Sequence, residues 1–183
     1  MSEPIHGCAS STLTLDDVLH QQHSAHQEVV NVDEPHTQLV FFALGDVHFA
    51  FPGRHVQEIL AGTDTPVHFI PGCPPSLEGV INVRGDIESV IGLQQLLQLP
   101  ANPTPIASSS AIVLARSAGL RSGLRVDRIV DVVDVPQSHL QPPPANVAEH
   151  LRPLVLGVLQ WQGQPVTLLD VERLLGDYAQ TLA

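Results

Sequence analysis

The chain has 183 residues, a formal net charge of −11 and only 4% aromatic residues. This length holds one well-buried domain or two small fused units. All eight basic residues are Arg and they are scattered along the sequence, so electrostatic binding to nucleic acid or to an anionic membrane is disfavoured. Abundant Val, Ile and Leu favour strands.

Neither membrane insertion nor secretion is indicated. No stretch approaches the roughly 20 apolar residues of a membrane span, and Met1-Ser2-Glu3-Pro4 lacks the basic-then-apolar order of a signal peptide. Cys8 and Cys73 lie far apart and outside any C-x-x-C pair, which suits a reducing compartment. We therefore expect a cytoplasmic protein.

Residues 1–37 form a polar N-terminal extension with too few apolar residues for a core. Thr14 is a candidate N-cap for a short helix there. His20, His23 and His26 recur every three residues and, with a further ligand from this extension, would make a metal site. Because a straight helix offsets such side chains progressively around its axis, we expect no metal, and no cofactor is indicated.

Residues 38–97 predict two hairpins, a separate strand and a short helix. Two-residue connections that contain Gly are the type that closes a β-hairpin. The predicted elements are a hairpin over 39–51 with the turn Gly45-Asp46, a strand over 56–60, a hairpin over 79–91 with the turn Arg84-Gly85-Asp86, and helical turns over 93–97.

The second half repeats this pattern after a linker rich in Pro, Ala and Ser over residues 99–110. Strands are predicted over 111–115, 123–126 and 129–133. Residues 157–175 align on 79–97 without a gap, and Leu174-Leu175 falls on Leu96-Leu97. An internal duplication of a small β unit explains this match. It predicts an all-β fold of two similar small barrels packed together.

No pattern of residues indicates an enzyme. The chain has no phosphate-binding loop, no Lys and no Gly-x-Ser-x-Gly elbow. Asp127, Asp131 and Asp134 follow a strand pattern in which Asp127 and Asp131 would share a face, and we interpret them as a solvated acidic stripe. Arg84 differs because the tip of a tight hairpin exposes it and leaves its hydrogen-bond donors available. From spacing alone, an ordinary surface Arg and an interaction residue both remain open.

The chain resembles the CheW family of chemotaxis adaptors. The resemblance covers about residues 38–176 in the family's order and spacing. It is carried by the stretches Leu39–Gly45, Val56–Ile59, Gly79–Ile87, Gly123–Ile129 and Gly157–Leu175.

The resemblance implies two packed SH3-like five-stranded β-barrels with short helices and a hydrophobic core between them. We expect the CheW-like domain over residues 38–178. Its first barrel would span about 38–98 and its second about 111–175, with exchange of strands between them allowed.

The resemblance also implies a non-enzymatic adaptor that couples a chemoreceptor's cytoplasmic tip to the regulatory domain of a CheA-type histidine kinase. Glu58 and Arg84 match the family's charged pair. The expected protein-binding residues are Val56, Glu58, Ile59, Val80, Ile81, Asn82, Val83, Arg84, Gly85 and Asp86.

The chain departs from the family pattern at one corner. Glu88 and Ser89 stand where an apolar residue and Pro are usual, and Gly92-Leu93-Gln94 replaces an Asp-Leu-Arg turn. These departures indicate a divergent paralogue, for example one that serves surface motility. The alternative hypothesis is a small-molecule or metal-responsive regulator that uses the cleft between the barrels or the His-rich extension.

Overall fold

Short apolar runs separated by turns form ten β-strands within residues 34–100 and 109–182, which are the residues that the computed structural model describes. The strands are β1 His36–Leu44, β2 Val47–Pro52, β3 Val56–Ala61, β4 Leu77–Val83, β5 Asp86–Gly92, β6 Ala111–Ser117, β7 Leu120–Val126, β8 Arg128–Pro136, β9 Val155–Trp161 and β10 Gln164–Leu169. The helices are α1 Leu93–Leu96 and α2 Val171–Leu182. The predicted all-β class is confirmed.

Both predicted hairpins of the first half form with two-residue turns. Leu44 pairs with Val47 in the first, and Val83 pairs with Asp86 in the second. Arg84 and Gly85 have φ angles of 55° and 100°. A type I′ turn requires this left-handed conformation at both of its central residues, and its twist matches the twist of the flanking strands.

Each of the two five-stranded sheets takes strands from both halves of the chain. The strand order is β8-β1-β2-β10-β9 in the first sheet and β3-β6-β7-β5-β4 in the second. The hairpins β1–β2 and β6–β7 are thus exchanged between the halves, within one compact unit over Pro35–Ala183. The contiguous ranges expected for the barrels, about 38–98 and 111–175, differ from the sheets by this exchange of two hairpins, which the expectation allowed.

The internal duplication extends to the strand pairing. β4 and β9 begin and end 78 residues apart, at positions 77 and 155 and at positions 83 and 161. Glu58 of β3 pairs with Leu114, and Asp131 of β8 pairs with Phe41, with an irregularity in the register beside each pair. Asp131 lies 73 residues after Glu58, and Leu114 lies 73 residues after Phe41, so each pair consists of the counterparts of the other pair's residues. The two sheets therefore correspond strand by strand.

Three hydrophobic cores stabilise this arrangement. The largest joins the sheets and includes Phe42 and Phe51 of the first sheet, Leu124 of the second and Leu174 of α2. A smaller core lies within each sheet, around Leu159 in the first and around Ile112, Ile81 and Val90 in the second. Buried side chains of both sheets pack together in this largest core, in the region where the small-molecule hypothesis places its cleft.

Some sequence-based predictions lie outside the described residues. These are the helix predicted at Thr14, the His20, His23 and His26 series, and most of the linker over 99–110. Within the described part of the chain, neither helix combines the length and apolar character that crossing a bilayer requires.

Candidate protein-interaction surface

Glu58 and Arg84 form an ion pair that joins the two edges of the second sheet. Arg84 Nη2 donates to Glu58 Oε1 at 2.8 Å. Glu58 lies in β3 and Arg84 directly follows β4, which are the edge strands of this sheet. Since strands at opposite edges meet only when a sheet curls, the pair marks the place where the second sheet bends back on itself.

The Arg84 side chain remains available to a partner although it is ion-paired. Its side chain is 80% exposed, whereas that of Glu58 is 30% exposed. A guanidinium group has five N–H donors in a rigid fork, and among the residues that the structure describes only its Nη2 contact with Glu58 is made. An exposed pair of this kind contributes little to stability. The ion pair therefore matters mainly because it orients the Arg84 side chain.

The backbone holds the hairpin tip in a defined shape. Asn82 Oδ1 accepts a hydrogen bond from the Gly85 N–H at 2.8 Å. This bond and the type I′ geometry fix the direction in which Arg84 leaves the turn. The exposed residues of the predicted site are Ile59 on β3 and, at the hairpin tip, Asn82, Arg84, Gly85 and Asp86.

Two of the predicted binding residues are buried. Ile81 is 0% exposed and Val83 is 6% exposed, and both pack in the second sheet's own core. Their effect on a partner would be indirect, through the position of β4. Val56 and Val80 are half-buried.

The edge of β4 is also partly occupied. The Val80 N–H donates to the His68 carbonyl at 2.9 Å, and the His68 N–H donates to the Val80 carbonyl at 2.8 Å. A partner strand therefore cannot pair with β4 at Val80 unless this bridge opens, which favours recognition through side chains.

Sequence reasoning noticed Glu88 and Ser89 but missed their partners on β7. Glu88 Oε1 accepts from Arg121 Nη1 at 3.0 Å, and the hydroxyls of Ser89 and Ser122 lie 2.7 Å apart. The parallel pairing of β5 with β7 continues the register in which Val90 faces Gly123. A charged residue followed by Ser occurs at 88–89 and again 33 positions later at 121–122. This spacing indicates contact only when the parallel register of β5 and β7 is known.

A second ion pair was also missed at the corner that departs from the family. Arg125 Nε contacts Glu78 Oε2, and Arg125 lies opposite Gly92 in the parallel pairing. A Cβ built on Gly92 would come within 2.9 Å of Glu78 Oε1. The corner therefore has a charge pair of its own, placed where the glycine leaves room.

The first sheet has a small pocket instead of a charged corner. It is about 90 Å³ in volume and is lined by Phe41, His48, Val130, Trp161, Gln162, Gln164 and Val166. Pockets for drug-sized ligands are several times larger, on the order of 300–1,000 Å³. No group of three or more His, Cys, Asp or Glu side chains that could hold a metal ion occurs among the residues that the structure describes.

Comparison with known proteins gives consistent matches. The model of the CheW-like domain family matches residues 38–179. A probable chemotaxis protein CheW of Rhizobium etli is 29% identical over 150 residues, which cover 81% of this chain and 94% of the relative. The chemotaxis protein CheW of Thermotoga maritima is 25% identical over 139 residues, covering 75% and 87% of the two chains.

A solved structure shows the same fold. The crystal structure of the scaffolding protein TtCheW from Thermoanaerobacter tengcongensis has a TM-score of 0.68 to this chain at 24% identity. The match covers 76% of this chain and 92% of the other.

Proposed function

The chain belongs to the CheW-like domain family of chemotaxis adaptor and scaffold proteins, and we propose that it acts as a cytoplasmic, non-enzymatic adaptor that couples chemoreceptors to a CheA-type histidine kinase. One surface would meet the regulatory domain of the kinase, and another would meet the cytoplasmic tip of the receptor. Neither nucleic acid nor membrane insertion is part of the proposal.

The observation that carries the proposal is the Glu58–Arg84 contact within a chain that matches the family over residues 38–179. The two residues lie 26 positions apart in sequence, and folding brings them together with the Arg84 side chain 80% exposed. A guanidinium that is held at one side and open at the other suits recognition of a carboxylate or a backbone carbonyl on a protein partner.

The shape of this surface favours weak, repeated contacts. The predicted site has few accessible residues, and its exposed large apolar side chain, Ile59, is 38% exposed. Small interfaces of this kind bind weakly one at a time. They become strong when many copies are held in one assembly, which is what an adaptor in a receptor array requires.

The proposal is tested by a pull-down of the purified chain against the CheA-type kinases and receptor cytoplasmic tips of its own organism. We expect binding to one kinase and one receptor. Binding to the receptor alone would contradict kinase coupling, and binding to neither would overturn the adaptor proposal.

Charge reversal tests the site. We expect Arg84→Glu to weaken binding of at least one partner by about tenfold or more, because like charges would then face each other at Glu58 and at the partner. Arg173→Glu is the matched control, since Arg173 is exposed in the first turn of α2, where an acid suits the helix dipole. Unchanged binding of both partners by the Arg84 variant would refute the role given to this residue.

A further inference from the structure

Arg121 contacts the hairpin that carries Arg84 from the side opposite Glu58. Its Nη1 lies 3.0 Å from Glu88 Oε1 and 3.5 Å from Asp86 Oδ2. Asp86 is the first residue after the turn, and the Glu88 side chain is only 10% exposed. The hairpin tip is therefore tied to β3 through Arg84 and to β7 through Asp86 and Glu88.

Because of the internal duplication, the first sheet has positions equivalent to Arg84, Asp86, Glu88 and Arg121, and these positions carry no such charges. With the 73-residue offset Arg121 corresponds to His48, and with the 78-residue offset Asp86 and Glu88 correspond to Gln164 and Val166. Arg84 corresponds to Gln162 by the latter offset. These four counterparts all line the small pocket of the first sheet.

The charges of Arg84, Asp86, Glu88 and Arg121 are not required for the fold. The first sheet has the same strand order and the same turn with a histidine, a valine and two glutamines in these positions, so the fold does not demand the charges. A largely buried ion pair is also weak evidence for stability, because desolvation of both charges offsets their attraction. The charges at the second sheet therefore need another reason.

We propose that Arg121 is a positioning residue for the Arg84 side chain. By holding Asp86 and Glu88, Arg121 engages the two carboxylates of β5 and leaves Glu58 as the acid that orients Arg84. Without Arg121, the buried Glu88 carboxylate has lost its partner and Asp86 is free to attract Arg84. The positioning of Arg84 by Arg121 does not depend on the proposed function. Its consequence, that Arg121 sets the affinity of the Arg84 surface for a partner, rests on the proposed function.

The first readout needs no partner. We expect rotation of the Arg84 guanidinium about its Nε–Cζ bond, measured by NMR, to be slow while the Glu58 carboxylate holds Nη2. Eight Arg and no Lys make the spectrum sparse, and Arg84→Lys assigns the signal. We expect Arg121→His to accelerate this rotation by about tenfold, because a guanidinium that exchanges between Glu58 and Asp86 keeps neither hydrogen bond for long; tenfold is the size of coupling usual for charged residues in contact. Unchanged rotation would overturn the inference whatever the partners do.

A double variant keeps the test independent of folding. Glu88→Val with Arg121→His places the first sheet's own residues into the second sheet and leaves no buried charge without a partner. We expect its melting temperature to stay close to that of the native chain, while Arg84 rotation and partner binding change as in Arg121→His. A double variant that folds and binds as the native chain does would refute positioning.

Arg116→His is the matched control. Arg116 is exposed on β6 directly opposite Arg121 and forms none of the ion pairs described above. The Arg116→His variant removes the same charge from the neighbouring strand, and we expect no change in the rate of Arg84 rotation. An equal effect in this control would show that local charge, rather than the contacts of Arg121, is responsible, and would overturn the inference.

Partner binding is the second readout. Faster rotation together with about tenfold weaker binding of the kinase or the receptor supports the inference. Faster rotation with unchanged binding overturns its functional consequence. If the native chain binds neither partner while the rotation still depends on Arg121, the proposed function fails and the positioning contact stands.

Discussion

The Asp127 carboxylate accepts a hydrogen bond from the Gly45 N–H at 2.6 Å, although the two residues lie 82 positions apart. Asp127 also donates its own N–H to the Ala43 carbonyl at 3.2 Å. It stands between β7 of the second sheet and β8 of the first. The residue therefore ties the turn of the first hairpin to the point where the chain crosses between sheets.

We expect Asp127→Ala to lower the free energy of unfolding by about 2 kcal/mol, because it removes the charged acceptor of the Gly45 N–H. Urea denaturation measures this loss. Asp134→Ala is the control: Asp134 is exposed and its removal should change stability by no more than about 0.5 kcal/mol. Equal effects of the two variants would show that the Gly45 contact is unimportant.

A second prediction concerns Gly157, whose counterpart Gly79 has the same kind of neighbour. A Cβ built on Gly157 would lie 2.6 Å from the Gln141 carbonyl oxygen, which belongs to a segment that pairs with Val158 through hydrogen bonds of 2.8 and 2.9 Å. We expect Gly157→Ala to open this bridge and to destabilise the protein by about 2 kcal/mol.

Gly176→Ala provides the opposite expectation for the same substitution. Gly176 lies inside α2 with nothing within 4 Å of a built Cβ. Alanine is favoured over glycine in a helix, so we expect stabilisation by about 0.5–1 kcal/mol. Thermal unfolding of both variants decides the matter, and a stabilised Gly157→Ala protein would contradict the steric argument.

Phe51 lies in the core between the sheets, the largest of the cores that the structure describes. Phe51 is 0% exposed and its ring centroid lies 4.5 Å from that of Phe42. We expect Phe51→Ala to cost about 3–5 kcal/mol, from lost burial and from the cavity left behind. Phe69 is 73% exposed, and Phe69→Ala should stay within about 0.5 kcal/mol. Comparable losses in denaturant unfolding would mean that the Phe51 site is not a packed core.

The last prediction concerns alkaline pH. Burial raises the pKa of the Tyr178 phenol above 10.0, the Cys73 thiol adds to the rise, and an interaction with Ser76 opposes it. Because the phenol ionises first in the unfolded chain, the stability linked to this pKa shift is fully present below pH 10.0 and is lost as pH rises through the folded-state pKa.

Tyr178 is the only tyrosine of the chain, so phenolate absorbance reports its pKa directly. We expect titration of the folded protein above pH 10.0 and a smaller alkaline loss of stability in Tyr178→Phe. Titration of the folded phenol at or below the unfolded value would contradict the burial argument.

The sequence predicted the local structure well because local rules govern it. The turns Gly45-Asp46 and Arg84-Gly85 closed the hairpins that the apolar runs on either side had predicted. The gapless match of residues 157–175 to 79–97 predicted the equivalence of β4–β5 and β9–β10. Hairpins and repeats need only near neighbours in the chain, so a single sequence carries both signals.

Asp127, directly before β8, and Asp131 within it show where strand alternation fails. Asp127 and Asp131 were expected on one face, but the register shifts between Phe41 and Phe42 of β1. Ile129 consequently packs in the core between the sheets, whereas Val133 packs in the core of the first sheet. A bulge shifts the side chains that follow it to the opposite face of the sheet. The sequence of β8 contains no signal that predicts this bulge.

By itself, the sequence determined the strand-forming runs, the turns, the duplication and the membership in a family. Only the tertiary structure decided that the hairpins exchange between sheets, that Glu58 meets Arg84, that Glu88 is held by Arg121, and that Ile81 and Val83 are buried. The first set depends on chemistry within a few residues. The second depends on which strands pair and in which register, and long-range pairing is settled by the burial of all three cores together.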